Sequence, residues 1–485
     1  MKKHPVTRRA FLQNIGLAAT VASIGKIASC SNIRKRPNIL FIAVDDLRPE
    51  LGCYGHPKVQ SPNIDRLASE GTRFTNAFCN VPVCGASRAS LLTGIRPTRD
   101  RFVTYYTRIE EDTPEATSIP QYFMNQGYHT LSLGKVAHHP DDILTHWSEP
   151  PWRPDYPDDL TVQKNWRDYL TEENIRIGKE RGDESAWPYE WPDVDDNAYY
   201  DGQIADKAIQ DIQRLSNKTE PFFLAVGFLK PHLPFNAPKK YWDLYNEEET
   251  NLPDNYYRPQ NAPDAAMHNF GELRAYYGVT AEGPVSDAMA KKLIHGYMAC
   301  VSYTDAQIGR VLDALEKSDE ADNTIVILWG DHGWNLGEHA LWCKHCNFKT
   351  SLQTPLIVKA QGKQENQQSP ALTEFVDIFP SLCELAGLPI PRQCEGSSFA
   401  PLLEKPDRPW KEAVFSQWHE GATIKTNRYA YTEWTDDNSK SYAQMLYDHR
   451  TDPDENMNIA DLPENKERVI ELKQKLALGW RAFTP

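Results

Sequence analysis

With 485 residues, 40% of them apolar and 11% aromatic, the chain can bury a large core and exceeds the roughly 100 to 200 residues of a usual single domain. Its 67 acidic residues against 53 basic ones give a formal net charge of -14, which argues against nucleic acid as the principal partner. An anionic ligand is not excluded, because a few convergent Lys, Arg and His side chains make a cleft positive even in an acidic protein.

The first thirty residues read as a targeting segment. Lys2, Lys3, Arg8 and Arg9 give a basic start, and residues 10–25 form an uncharged, mostly apolar run, short of the roughly 20 residues a membrane span needs. Thr7-Arg8-Arg9-Ala10-Phe11-Leu12 resembles a twin-arginine signal. Ile27-Ala28-Ser29-Cys30 resembles a bacterial lipobox, in which Cys30 becomes the lipidated first residue of an exported lipoprotein held to the membrane only by that lipid. A plain cleaved signal and an anchor helix are the alternatives. Residues 1–30 carry five basic and no acidic side chains, so without them the charge of -14 becomes -19.

Residues 37–44 form a continuous apolar run with β-branched members that ends in Asp45-Asp46, and this predicts a strand buried on both faces. Similar runs follow at 221–226, 323–329 and 355–358, with helical patterns at 64–70, 119–125, 201–215 and 288–315. The alternation predicts an α/β fold, a large mostly parallel sheet flanked by helices. Residues 140–196, rich in Trp, Pro and Asp, read as a long surface insertion suited to wall a cleft. After Pro406-Asp-Arg-Pro409, short strands at 413–418, 422–424 and 429–434 and a final helix predict a small C-terminal α+β subdomain over 406–485. Of the nine cysteines, Cys383 and Cys394 are the expected disulfide, since the loop between them is short and Pro-rich. Cys343-Lys-His-Cys346 has CxxC spacing, but no second pair follows to complete a zinc site.

In an α/β sheet, ligands collect at the carboxyl ends of the strands. Asp45-Asp46 and Asp331-His332 close two of the predicted strands, and a buried carboxylate pair is costly unless a cation neutralises it. Oxygen donors with one imidazole suit calcium or magnesium better than a thiolate-loving metal. Taken singly, each Asp also reads as a helix N-cap, and a lone Lys or His as a surface or satisfied core residue.

Cys84-Gly-Ala-Ser87-Arg88-Ala-Ser-Leu-Leu-Thr93-Gly94 resembles the signature of type I sulfatases, Cys-x-Pro-x-Arg or Cys-x-Ala-x-Arg followed by Leu-Thr-Gly. In that family a maturation enzyme converts the Cys to formylglycine. The resemblance implies an alkaline-phosphatase-like fold, with residues 31–405 as the catalytic domain. It implies that Cys84 becomes an aldehyde hydrate with two geminal hydroxyls, one attacking sulfur and the other later expelling the sulfate. It also implies one calcium ion held by Asp45, Asp46, Asp331 and His332 and touching position 84; many family members have Asn where His332 stands.

Three further segments resemble the family's sulfate-binding cations. Gly134-Lys135-Val-Ala-His138 implies Lys135 on the sulfate and His138 beside the formylglycine hydroxyl, with the adjoining His139 as the alternative imidazole. Lys230-Pro-His232-Leu-Pro234-Phe235 implies His232 near the leaving oxygen, and Lys344 is the last cation. Arg88 is expected with Lys135, His232 and Lys344 in the sulfate pocket.

Ala43-Val-Asp-Asp-Leu-Arg-Pro49, Ser118-Ile-Pro-Gln-Tyr-Phe123 and Asp331-His-Gly-Trp-Asn-Leu-Gly-Glu-His339 are similar to the iduronate-2-sulfatase branch. Ala86 and the C-terminal part depart from its animal lysosomal members and fit a bacterial polysaccharide-degrading relative. The branch implies a sulfated oligosaccharide substrate cut from its end at a 2-O-sulfated uronic acid or similar sugar. A neutral sulfated sugar such as xylose or rhamnose is the alternative. Arg48, Trp334 and His345 are candidates for holding the uronate carboxylate or sugar ring. Two other functions compete: an alkaline-phosphatase-like phosphodiesterase with two zinc ions, and an inactive glycan-binding protein, against which the intact Cys84 and Arg88 speak.

Overall fold

The computed structural model describes residues 36–156 and 164–485; the targeting segment with Cys30 lies outside them. The main sheet has seven strands: β1 (Asn38–Val44), β2 (Thr72–Phe78), β3 (His129–Gly134), β4 (Phe222–Phe228), β5 (Thr324–Gly330), β6 (Leu356–Lys359) and β7 (Gln367–Glu374). Their spatial order is β7-β2-β6-β5-β1-β4-β3. Pairs β5–β1, β1–β4, β4–β3 and β7–β2 are parallel, whereas β6 runs antiparallel to both its neighbours.

The continuous apolar run of β1 has a direct cause in packing, since successive strand side chains point to opposite faces. Leu40, Ile42 and Val44 join a core with Ile204 and Ile212 of helix Tyr200–Leu215 and with Tyr297, Tyr303 and Ile308 of helix Asp287–Glu316. Ile39, Phe41 and Ala43 face Leu91, Phe123 and Phe379 on the other side, carried by helices α1 (Cys84–Thr93), α2 (Ile119–Asn125) and α3 (Ile378–Leu385). A strand covered on both faces needs no polar positions.

Residues 413–448 form a second sheet, antiparallel, of β8 (Ala413–Trp418), β9 (Gly421–Thr426), β10 (Tyr429–Thr435) and β11 (Ser441–Asp448). Helix α4 (Lys466–Leu478) lays Leu472 against Tyr431 and Leu446 of this sheet. Among the described residues no helix is long and apolar enough to cross a membrane. One expectation is corrected: Cys383 and Cys394 are free thiols rather than a disulfide.

Candidate active site

Register gathers the site. Val44 lies opposite both Phe228 and Gly330, and Gly134 opposite Gly227, so the residues that follow these strands emerge at one edge of the sheet. Close approach depends on glycine there: a Cβ on Gly227 would lie 2.1 Å from the Lys135 carbonyl oxygen. Asp45 and Asp46 follow β1, Lys135 to His139 follow β3, Lys230 and His232 follow β4, and Asp331 and His332 follow β5.

Cys84 opens α1 from the extended residue Val83. Its thiol, the encoded side chain that marks where a formylglycine hydroxyl would stand, lies 3.2 Å from His332 Nε2 and 3.9 Å from Asp46 Oδ1. Burial pushes this thiol up to about 12, with Asp45 adding to the shift and Lys344 opposing it. The encoded cysteine is therefore not a ready thiolate at neutral pH.

The cations sit on the carboxylates. Lys344 Nζ donates to both oxygens of Asp46 at 3.2 Å and to Glu272 Oε1 at 2.9 Å; Lys135 Nζ donates to Asp45 Oδ2. His232 Nδ1 donates to the Leu233 carbonyl at 2.6 Å, which turns Nε2 toward Glu272 Oε1 at 3.2 Å and Asp46 Oδ2 at 3.8 Å. Burial would raise Asp45, but Lys135 and Arg88 outweigh it and hold the carboxyl well below the usual range. Asp46 behaves oppositely: burial pushes it up to about 7 although Lys344 and His232 pull it down.

This contrast bears on a metal. Asp45, Asp46 and Asp331 bring carboxylate oxygens within 4.8 Å of one another, and an oxygen of Asp46, Sγ of Cys84 and a ring nitrogen of His332 lie equally close together. His332 Nδ1 faces the Gly333 carbonyl at 2.9 Å, which places the proton on Nδ1 and leaves Nε2 as a free donor pair, the arrangement of a ligating imidazole. Four buried or half-buried carboxylates, Asp45, Asp46, Asp331 and Glu272, meet three permanent cations, Arg88, Lys135 and Lys344. The residues present fit a hard divalent cation with oxygen donors.

A cavity of about 570 Å³ opens over Cys84 and is walled by Lys135, His138, His232, Lys344 and His345 among others. His139 lines it too, with Nε2 facing the Tyr105 carbonyl at 3.0 Å, whereas His138 Nδ1 has no hydrogen-bond partner among the described residues. Three expected positions are corrected. Arg88 is fully buried and directs Nε to Asp331 (2.8 Å), Nη2 to Asp45 (3.0 Å) and Nη1 to the Lys135 and Val136 carbonyls. It braces the carboxylates from behind and does not line the cavity. Arg48 turns away to Glu50, Glu338 (2.7 Å) and the Trp334 carbonyl (2.8 Å). Trp334 is buried with its ring under Lys344 Nζ at 4.8 Å; neither residue lines the cavity. Sequence reasoning missed Glu272, Arg153, Tyr105 and Trp166, which do. Glu272 sits on a four-residue helix with no pattern to mark it, while Arg153 and Trp166 belong to the insertion expected to wall a cleft.

A mostly parallel sheet whose strand ends collect carboxylates, cations and a helix-borne Cys under one cavity suits a hydrolase of oxyanion esters, and its fold is alkaline-phosphatase-like. Solved phosphonate monoester hydrolase from Agrobacterium radiobacter shares this fold, with a TM-score of 0.71 at 24% identity over 91% of this chain and 95% of that one. The family model described as Sulfatase matches residues 37–388, and one described as N-sulphoglucosamine sulphohydrolase, C-terminal, matches 337–479. Iduronate 2-sulfatase of Homo sapiens is 35% identical over 433 residues, which cover 81% of this chain and 77% of that protein. A sulfatase of Formosa agariphila is 31% identical over 456 residues, 91% of this chain and 86% of that one. The chain belongs to the sulfatase family and is a sulfuric ester hydrolase.

Proposed function

We propose that the protein is an exported, formylglycine-dependent sulfatase that removes the sulfate from the terminal sugar of an oligosaccharide, a 2-O-sulfated uronic acid or a sugar with a similarly placed sulfate. The position of Cys84 carries this reading. It lies at the start of a helix on the cavity, 3.2 Å from His332 and backed by Arg88, which grips Asp45 and Asp331. Once a maturation enzyme has made it formylglycine, position 84 supplies a hydrate whose first hydroxyl takes up the sulfate and whose second releases it. Asp45, Asp46, Asp331 and His332 would hold a calcium ion, which supplies a Lewis acid for a sulfate oxygen.

The chain's own groups do the rest. Lys135 and Lys344 present ammonium donors to the sulfate, and His232, whose Nδ1 stays on Leu233, directs Nε2 to the leaving sugar oxygen. Among the described residues every candidate ligand group for a metal includes Asp45 or Asp46, so the groups crowd one place beside Cys84. A cavity of about 570 Å³ suits one sugar with its sulfate, in accord with action at a chain end. Export, with Cys30 as the lipid site, accords with a polymeric substrate met outside the cytoplasm.

The test is mass spectrometry of the Cys84 peptide from protein made in its native host, together with sulfate release from a panel of sulfated oligosaccharides, acidic and neutral. Formylglycine and turnover are expected together. Full turnover by protein bearing only the thiol would overturn the reading, and preference for neutral xylose or rhamnose sulfates would replace the uronate while leaving the reaction in place.

A further inference from the structure

The cations nearest Cys84 are engaged with the carboxylates of the site, and Arg48 lies outside the cavity. That leaves the question of what recognises the rest of the sugar. Arg153 lines the same cavity, on the side of His138, and is 5% exposed. Its guanidinium is clamped on one side only: Nε and Nη2 form a bidentate pair with the fully buried Asp155 at 3.0 and 2.8 Å. Among the described residues Nη1 makes only a long contact of 3.4 Å, to the His138 carbonyl. Tyr156 lies beneath it, its ring centroid 5.3 Å from Cζ.

This is a planar fork fixed on one edge with donor capacity left on the other, the geometry that recognises a second oxyanion. Lys230, which lines the cavity with Lys135 and Lys344, donates Nζ to the His232 and Pro234 carbonyls at 3.1 and 2.7 Å and thus acts on the loop's own backbone.

We propose that Arg153, held by Asp155, is a specificity residue that pairs with a second oxyanion on the substrate sugar, either the carboxylate of a uronic acid or a second sulfate. This rests on the sulfatase reading given above and adds to it the group that senses the remainder of the sugar.

The test uses matured, formylglycine-bearing enzyme and three substrates: a 2-O-monosulfated uronate oligosaccharide, a neutral monosulfated one and a neutral disulfated one. The readout is the ratio of kcat/KM for each anion-bearing sugar to that for the neutral monosulfated sugar. Because Arg153→Gln alone would leave Asp155 buried without its partner, it is paired with Asp155→Asn; Arg153→Lys keeps a charge against Asp155 but loses the fork. Both are expected to lower the ratio by about 30-fold or more for the oxyanion that Arg153 reads. A fall confined to the uronate identifies a carboxylate, and a fall confined to the disulfated sugar identifies a sulfate. A wild-type preference that survives in both variants overturns the proposal while the sulfatase reading stands. Wild-type enzyme with no preference for either anion-bearing sugar overturns the proposal and the acidic-sugar reading together.

Discussion

Arg96, Lys411, Glu374 and Asp377 form a buried ion cluster where the main sheet meets the C-terminal one, and it differs instructively from the cluster around Cys84. Arg96 grips Glu374 with Nη1 at 2.7 Å and Nη2 at 2.5 Å, and Lys411 bridges Glu374 (2.8 Å) and both oxygens of Asp377 (2.6 and 2.7 Å). Backbone N–H groups of Phe415, Ser397 and Glu374 complete the carboxylate shells. Two cations meet two anions and none of the four borders the cavity. In the other cluster the carboxylates outnumber the permanent cations, and the group borders the cavity; each cluster keeps one buried polar atom without a partner among the described residues, Glu272 Oε2 in one and Arg96 Nε in the other. A charge-balanced cluster away from the cavity holds parts together; an unbalanced one beneath a cavity has the electrostatics expected of a functional site.

The sharpest break between the two is chemical. Cys84→Ala should reduce sulfate release by on the order of 10⁴-fold or more, because the nucleophile and the cations act as a unit, with the unfolding midpoint nearly unchanged. Appreciable turnover by this variant would rule out covalent catalysis at position 84.

Metal removal should come next. Chelation should depress activity by roughly 100-fold or more, with calcium restoring it better than zinc. Calcium at about 100 times its Kd should add about 2.7 kcal/mol of stability. Asp331→Asn should abolish that calcium-dependent rise in Tm, whereas Glu374→Gln should retain it. A calcium response that survives Asp331→Asn would move the metal elsewhere.

In the closed cluster the expected effect is on stability. Glu374→Gln leaves Arg96 and Lys411 under-compensated and should cost about 3 to 5 kcal/mol in urea unfolding, while the folded variant keeps its calcium response. A loss below about 1 kcal/mol would mean that the cluster is dispensable.

The smallest effect is on acid stability. Burial opposes ionisation of Glu374, but Arg96 and Lys411 outweigh it and hold it down to about 2 from 4.5. A depressed carboxyl contributes stability that is present above the unfolded value and lost as pH falls toward the folded one. Wild-type Tm should therefore fall between pH 4.5 and 2, more steeply than that of Glu374→Gln. Burial pushes Asp377 up, which offsets part of this slope. Equal slopes in the two proteins would remove Glu374 as the cause.

Strands buried on both faces were legible because apart from a terminal residue they carry no polar positions: 37–44, 221–226, 323–329 and 355–358 each appear within a residue or two as β1, β4, β5 and β6. Besides β11 of the second sheet, the strands missed are β2, β3 and β7 of the main one. Two of these are the edges of the sheet, where one side of the backbone is unpaired, and β7 carries Gln, Ser and Pro370 with a register shift between Ser369 and Leu372. Such a strand has no apolar signature to read.

The candidate residues that the structure gathers around Cys84 stood out in the sequence because they lie in short local motifs, several of them at strand ends, so one segment names several of them. Arg48 and Trp334 were misplaced for the converse reason. Nearness in sequence to a carboxylate says nothing about direction once the chain turns, as it does at Asp46 with φ of +59°. Glu272 and Arg153 reach the cavity from segments remote in sequence, and only tertiary closure brings them there.

The burial of Cys84 also sets an order of events. A side chain 2% exposed, between α1 and the loop whose Tyr105 carbonyl would lie 2.5 Å from a Cβ on Gly85, offers no peptide for another enzyme to grasp once the chain has folded. If this residue is oxidised, the oxidation precedes folding, and the two processes compete in time. A cell that makes the chain faster than it converts it would accumulate well-folded molecules locked in the thiol form, indistinguishable in shape from the working ones and beyond later repair.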